Sequence, residues 1–594
     1  MRMILASIFL CLAVTAGAAS PFGHYGKKAP LAEIKAEANP QAQVTLFQPE
    51  WLTAILPDTM PDATKKVQLQ SFAAQGEYEG FVFALRSTLP VKMKAEMTPF
   101  TAADGSVIDA GNFELRIQRT LETHKPVGSD EWAFSPLGMD LCEGEVRLNG
   151  EETAALFLDV RVPENAKPGV YKATLTLTGA AAPVKVPFSL RVLPFTLRRG
   201  VRSYGSYFLG RYLTDPFRSR LAYSSMEMLE KICRAHNAMG FNSAQFCEIT
   251  PKLTYKDGQV KVDYTEIETI INSFRKAGNH GIISFEIRFA LWWCDELSVI
   301  LENRYTREPV KYTVESLEKL YPSLNAVEHN LKARWHKDYQ LSELGRKFCR
   351  QVLQQVQELF QRNQWKDIYL VVEEEVGNGG LKLWGFEQFV PLVKEFPAME
   401  LMLYDNSPHL GIDMGHKHKD VVKIRQYNFI TPELIQSARE DGRELWYYNR
   451  GWNRAAFGFP IWKLGARGMH MWADQWFDNS PYGEHQPRYY VWSVFYPSPS
   501  GPLPTLEGIR SREGIDDLAY LDTLVERIEK AKAAGKAAAA VAQAEKILAQ
   551  LSARLPVTNQ EFNDYRTSMT HASAFAERWK LASAILRIEK ELAK

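Results

Sequence analysis

After Arg199 the hydrophobic rhythm of the chain changes, and this change constrains the fold more than any other feature. From Tyr204 to Asp474, short apolar runs alternate with amphipathic stretches of helical period. Strands are predicted at Tyr204–Leu209, Ser243–Glu248, Ile282–Phe289, Ile368–Glu374, Glu400–Asp405, Val421–Tyr427, Leu445–Asn449 and Met469–Asp474. Helices are predicted at Met226–Met239, Tyr264–Ala277, Leu344–Arg362, Phe386–Glu395, Pro432–Glu440 and Ala455–Gly465. Strands joined by helical crossovers in this way fit a (β/α)8 TIM-like barrel over 199–505. The Trp292–Glu343 insertion after the third strand is long for a connecting loop and reads as functional.

The flanking segments have different periods. Across 40–198, alternating runs such as Gly80–Leu85, Ala154–Val162 and Val184–Val192 are broken by Pro163 and Lys167-Pro168-Gly169, the pattern of an antiparallel β-sandwich. Residues 506–594 read as an α-helical cap, with Ala531–Leu551 rich in Ala, Lys, Gln and Glu. The expected architecture is therefore multidomain: N-terminal β-sandwich, central barrel, C-terminal helical region. Residues 1–19 carry Arg2, an apolar run from Ile4 to Val14 and Ala16-Gly17-Ala18, which together read as a signal peptide and predict a secreted or periplasmic protein. That run is too short to span a bilayer and no later stretch of about 18 apolar residues follows, so no stable membrane insertion is expected.

Charge and cysteine usage exclude some partners. Lys+Arg 71 against Asp+Glu 70 leaves a net charge of +1, without the basic surplus of a protein that neutralises many phosphates, so nucleic acid is not an expected partner. Beyond the leader the cysteines are Cys142, Cys233, Cys247, Cys294 and Cys349, an odd number with no CxxC, and they read as core residues. A Cys233 pair with Cys247 or Cys294 stays open. There is no phosphate-binding glycine loop and no histidine pair at ligand spacing, and His409, His416 and His418 lack a carboxylate at fixed spacing, so neither cofactor nor metal is expected.

On a barrel of this type, functional side chains sit where strands end and βα loops begin. The fourth strand gives the densest signal there: Ile368 to Val372 runs straight into Glu373-Glu374-Glu375 and then Gly377-Asn378-Gly379-Gly380. Carboxylates crowded at a strand tip raise one another's pKa, as a general acid near neutrality requires. Other strand ends supply Glu248, Glu286, Tyr404, Asp405, Tyr427, Tyr447, Trp472, Asp474 and Trp476. Eleven of the 14 tryptophans fall between Trp292 and Trp492. Aromatic faces beside Asn, Asp and Gln suit a sugar, whose rings stack while its hydroxyls are hydrogen-bonded.

The segments Glu444–Tyr448, Gly465–Trp472 and Gly508–Leu521 resemble the catalytic region of glycoside hydrolase family 123, which contains exported β-N-acetylgalactosaminidases. The resemblance runs from the sandwich through the barrel into the first cap helix, and its most specific part, Arg510 to Leu521, implies a segment joining barrel to cap. It further implies substrate-assisted hydrolysis with retention. The family's adjacent Asp-Glu pair falls on Glu373 and Glu374, so that Glu stands here in place of Asp. Glu373 would orient the 2-acetamido group, whose oxygen attacks the anomeric carbon, and Glu374 would serve as acid and then base. A register one step later, with Glu374 and Glu375 as the pair, stays open. The substrate-binding candidates are Tyr404, whose hydroxyl would steady the acetamido oxygen, Asp405, Tyr427, Tyr447, Trp472 as the floor under the ring, and Trp476. A retaining glycosidase for a non-acetamido sugar, with Asp405 or Asp474 as second carboxylate, and a glycan-binding barrel without catalysis are the other readings.

Overall fold

A computed structural model describes residues 36–594 apart from 125–131, 210–224, 248–251, 257–258, 288–299, 304–308, 312–338, 342, 379, 430, 475–492, 497 and 499–500. The N-terminal part is two packed sheets. One has five strands in the order Val44–Phe47, Tyr78–Ser87, Thr153–Arg161, Phe113–His124 and Trp132–Leu141. The other has seven, built around Val184–Thr196 and Gly169–Thr178. Along Val184–Thr196 buried and more exposed residues largely alternate, as they must on a sheet with one dry face. The dry faces meet through Phe81 and Phe188, whose rings lie edge to face at 5.3 Å. The sandwich is not wholly antiparallel: Leu69–Gln75 runs parallel to Val184–Thr196.

The centre is a closed barrel of eight parallel strands, each beside its sequence neighbour. They are β1 (Ser203–Leu209), β2 (Ser243–Cys247), β3 (Ile283–Glu286), β4 (Ile368–Val371), β5 (Leu401–Asp405), β6 (Val422–Tyr427), β7 (Glu444–Tyr448) and β8 (Gly468–Met471), and β8 pairs back onto β1. Between them run α1 (Met226–Ala238), α2 (Thr265–Lys276), α3 (Glu343–Asn363), α4 (Gly380–Val393), α5 (Pro432–Glu440) and α6 (Phe459–Lys463). The described parts of the long insertion after β3 include a small antiparallel sheet of Ile300–Asn303, Pro309–Lys311 and Tyr339–Leu341. Glycine is required where the barrel closes most tightly. A Cβ on Gly205 would meet the Ser243 carbonyl oxygen at 1.9 Å, and one on Gly468 would enter the Trp446 ring at 2.3 Å.

The C-terminal region is four helices: α7 (Leu506–Ala533), α8 (Ala538–Arg554), α9 (Asn559–Ser568) and α10 (His571–Leu592). Helix α7 begins at Leu506 and its first half is buried almost throughout. It joins the cap to the sandwich as well as to the barrel. Arg512 makes a paired contact with Asp159 of the sandwich at 2.9 and 2.8 Å, and Arg510 donates to the Trp51 carbonyl at 2.6 Å. Arg454, between β7 and β8, holds both oxygens of Asp517 at 2.7 Å, and Arg578 of α10 reaches Asp517 at 2.7 Å and Glu513 at 2.9 Å. Buried charges of this kind are tolerated only when paired, so the conspicuous sequence of α7 is explained by the three-way junction it fills.

Cys142 and Cys233 are free thiols; Cys294 lies outside the described residues, as does the side chain of Cys247. Among the described residues no helix is long and apolar enough to cross a membrane. Residues 1–19, where a leader is expected, lie outside the described residues.

Candidate active site

Parallel strands buried on both faces do not announce which side chains face the axis, so the site is built from the register. Tyr207, Gln245, Ser284 and Tyr369 lie side by side across β1 to β4. Tyr404, Gln426, Trp446 and Gly468 do so across β5 to β8. Tyr207, Val371, Met402, Tyr404, Ile424, Trp446, Tyr448 and Ala473 form one closed cluster, the barrel interior, with Trp472 packed against it.

Within it runs a directed chain of hydrogen bonds. The Ser243 hydroxyl donates to the Ile282 carbonyl, so its oxygen accepts from Nε2–H of His470 at 2.7 Å. Nδ1 of His470 is then the bare nitrogen and accepts the Tyr404 hydroxyl at 2.8 Å, while the Tyr404 oxygen accepts from Ser284 at 3.0 Å. Burial pushes His470 down to about 3, so the ring stays neutral and this tautomer persists. Tyr404 is thereby fully committed, and its hydroxyl proton is not available to an acetamido oxygen.

The ladder of β4 ends at Val371; the chain bends at Val372, and Glu374 rejoins β5 through a single bridge to Tyr404. That bend decides where the acids go. Glu374, 6% exposed, accepts from Nε2 of fully buried Gln245 at 3.0 Å. Glu373, 8% exposed, accepts from the Glu374 amide at 3.3 Å, and its other oxygen lies 3.7 Å from where a Cβ on Gly385 of α4 would be. Glu375 has a left-handed backbone (φ 49°) and accepts from Asn378, which in turn accepts from Asn406. Gly377 donates to the Asn406 side chain at 2.6 Å and locks this loop onto the end of β5; a Cβ there would meet the Ser407 nitrogen at 2.7 Å.

Two phenols flank Tyr404 edge-on, Tyr207 at 5.4 Å and Tyr448 at 5.3 Å between ring centroids. Both hydroxyls are buried, and among the described residues neither has a hydrogen-bond partner. Burial holds both phenols well above their ordinary range. The Tyr404 phenol and the Glu374 charge add to this at Tyr207, and the charges of Glu375 and Glu374 at Tyr448. Both therefore remain O–H donors. The Trp472 ring stands edge-on to Tyr207 at 5.2 Å, and the Trp472 amide donates to Asn449 at 2.9 Å.

The remaining candidates lie elsewhere. Asp405, Tyr427 and Tyr447 form one row across β5, β6 and β7, alternating with the inward residues. Asp405 accepts from the amide and hydroxyl of Ser407 (2.8 and 2.5 Å) and the Gly415 amide (3.0 Å), so it fastens the loop after β5; burial raises its pKa to about 6. Tyr427 donates to Asp413 at 3.0 Å, and both tyrosines pack in the core between barrel and helices. Oδ2 of Asp474 faces His236 at 3.9 Å. Trp476 and Glu248 lie outside the described residues. His416 pairs with Asp441 at 2.7 Å and His418 with Glu387 at 3.2 Å; no group of His, Cys, Asp and Glu among the described residues forms a metal cage. Sequence reasoning missed Gln245, Ser243, Ser284 and Tyr207. Their signal is polarity at alternate positions of otherwise apolar strands.

No protein-family profile matches the chain, and no curated protein matches it in sequence. Among solved structures it is similar to a family 123 glycoside hydrolase from Clostridium perfringens, studied for glycolipid glycan hydrolysis. The identity is 12%, over 93% of this chain and 98% of that one, with a TM-score of 0.59. It also aligns with an endo-β-1,4-mannanase from Thermotoga petrophila (12% identity, 52% of this chain and 76% of that one, TM-score 0.30). A third alignment is with a Parabacteroides merdae β-glucuronidase (9% identity, 74% and 52%, TM-score 0.29). The first likeness spans both chains almost end to end, so the fold shared with the family 123 hydrolase is that of the whole chain and not of the barrel alone.

Proposed function

We propose that this chain is a glycoside hydrolase that removes terminal β-N-acetylgalactosamine residues with retention, the substrate's own acetamido oxygen acting as nucleophile. The observation that carries the reading is Glu374: a buried carboxyl at the C-terminal mouth of a parallel barrel, held by Gln245. The phenols of Tyr207 and Tyr448, which have no hydrogen-bond partner among the described residues, lie close enough to feel its charge. Glu374 protonates the leaving oxygen and then takes a proton from water. Glu373 orients the acetamido group by its place in the motif. Adjacent carboxylates just past one strand's end suit this mechanism better than a double displacement, which needs carboxyls about 5–5.5 Å apart across the sugar. The enzyme acts outside the cytoplasm, exported by residues 1–19.

Replacing Glu374 by Gln lowers turnover of β-N-acetylgalactosaminides by about 10²–10⁴, and unchanged turnover overturns the reading. A thiazoline mimic of the cyclised intermediate inhibits the wild type; failure to inhibit, together with cleavage of a sugar lacking the acetamido group, moves the substrate elsewhere. One observation favours a second reading in which Glu374 and Glu375 are the pair: these two charges act on Tyr448, while Glu373 packs against α4.

A further inference from the structure

Gln245 is fully buried at the centre of the inward row of β1 to β4. Its Nε2 donates to Glu374 at 3.0 Å, whereas its carbonyl oxygen is buried with no hydrogen-bond donor among the described residues. The carboxylate fixes the amide's orientation, because a carbonyl oxygen turned toward it would be repelled. A buried acceptor without a donor costs stability. The fold thus gains little from an amide here: among the described residues its one side-chain bond runs to Glu374, and it braces no neighbouring strand otherwise.

We propose that Gln245 is the positioning residue of Glu374, occupying one carboxyl oxygen so that the other carries the proton delivered to the leaving group. The inference rests on the hydrolase reading for the use of that proton, and on geometry alone for the clamp. A donor to one oxygen favours the charged form, so its removal makes the carboxyl hold its proton to higher pH. Methionine has nearly the same shape as glutamine and no donor.

The test is Gln245→Met, with Gln245→Asn, one methylene short of Glu374, as the variant that keeps the amide should methionine disturb folding. The carboxyl infrared band that Glu374→Gln deletes is followed against pH. In either variant the band moves to the position of a carboxyl without an amide donor, and the basic limb of the pH–rate profile moves to higher pH. A band that stays in place overturns the proposal. A band that moves while wild type cleaves no glycoside, or while the rate profile stays put, upholds the clamp and defeats the acid role of Glu374 instead.

Discussion

The Tyr404 hydroxyl donates to Nδ1 of His470 across 2.8 Å, and this bond makes Tyr404 a post of the barrel interior. Replacing Tyr404 by Phe leaves the His470 nitrogen and the Ser284 hydroxyl without their partner in a fully buried place. The expected cost is about 1–3 kcal/mol of unfolding free energy, read by urea denaturation. His470 titrates only near pH 3, so the cost is the same at pH 5 and pH 8. A loss that appears only at one of these pH values contradicts the neutral-imidazole chain.

Tyr207 and Tyr448 predict the opposite separation of stability from function. Among the described residues their buried hydroxyls have no partner, so Tyr448→Phe and Tyr207→Phe remove a liability of the free protein. Each variant is expected to be at least as stable as wild type, while KM for the glycoside rises about tenfold, the worth of one hydrogen bond to ligand. Lower stability with unchanged KM assigns these phenols to packing.

The architecture was legible because it is written in periods. Pro432–Glu440 begins and ends as expected, since Thr431 caps it and Pro432 occupies its first turn. The strand ends were not legible. An apolar run shows that a strand exists and not where its ladder stops, so the run predicts a fourth strand reaching Glu374, whereas the ladder ends at Val371. Period-two counting from Tyr369 and Val371 turns Glu373 inward and Glu374 outward. The bend at Val372 cancels that count, and Glu374 is the one that meets Gln245. The same blindness to inside and outside placed Asp405, Tyr427 and Tyr447 in the site, although they form the opposite row.

The junction of the three parts makes stability depend on pH. Burial, reinforced by Asp516, raises Glu77 from 4.5 to about 8, although Arg578 works against this. The folded state therefore keeps a proton that the unfolded chain gives up above about pH 4.5. The stability this provides is complete in acid and is lost as pH rises toward 8. Glu77→Gln mimics the protonated acid and keeps an oxygen for the Ala74 amide and the Tyr520 hydroxyl. It is expected to match wild type at pH 5 and to exceed it at pH 8 by an amount on the order of 3 kcal/mol, measured by chemical denaturation. Parallel curves at both pH values show that Glu77 is ionised in the folded state.

The three adjacent acids separate by how their losses depend on the leaving group. An acid that protonates the departing oxygen matters most when that oxygen is basic, whereas a group that orients the acetamido is needed for every substrate. Glu374→Gln is expected to lose most on alkyl and glycan aglycones and least on nitrophenyl ones, with azide restoring part of the rate. Glu373→Gln is expected to lose about a hundredfold on all of them, the cost of misplacing a positioned group by about 1 Å. Glu375→Gln is expected to lose less than tenfold, because its carboxyl is engaged by Asn378. A leaving-group-dependent loss at Glu375, with a uniform loss at Glu374, moves the pair one residue along. The acid then becomes the charge felt most by Tyr448, and the carboxyl held by Gln245 becomes the one that orients the substrate.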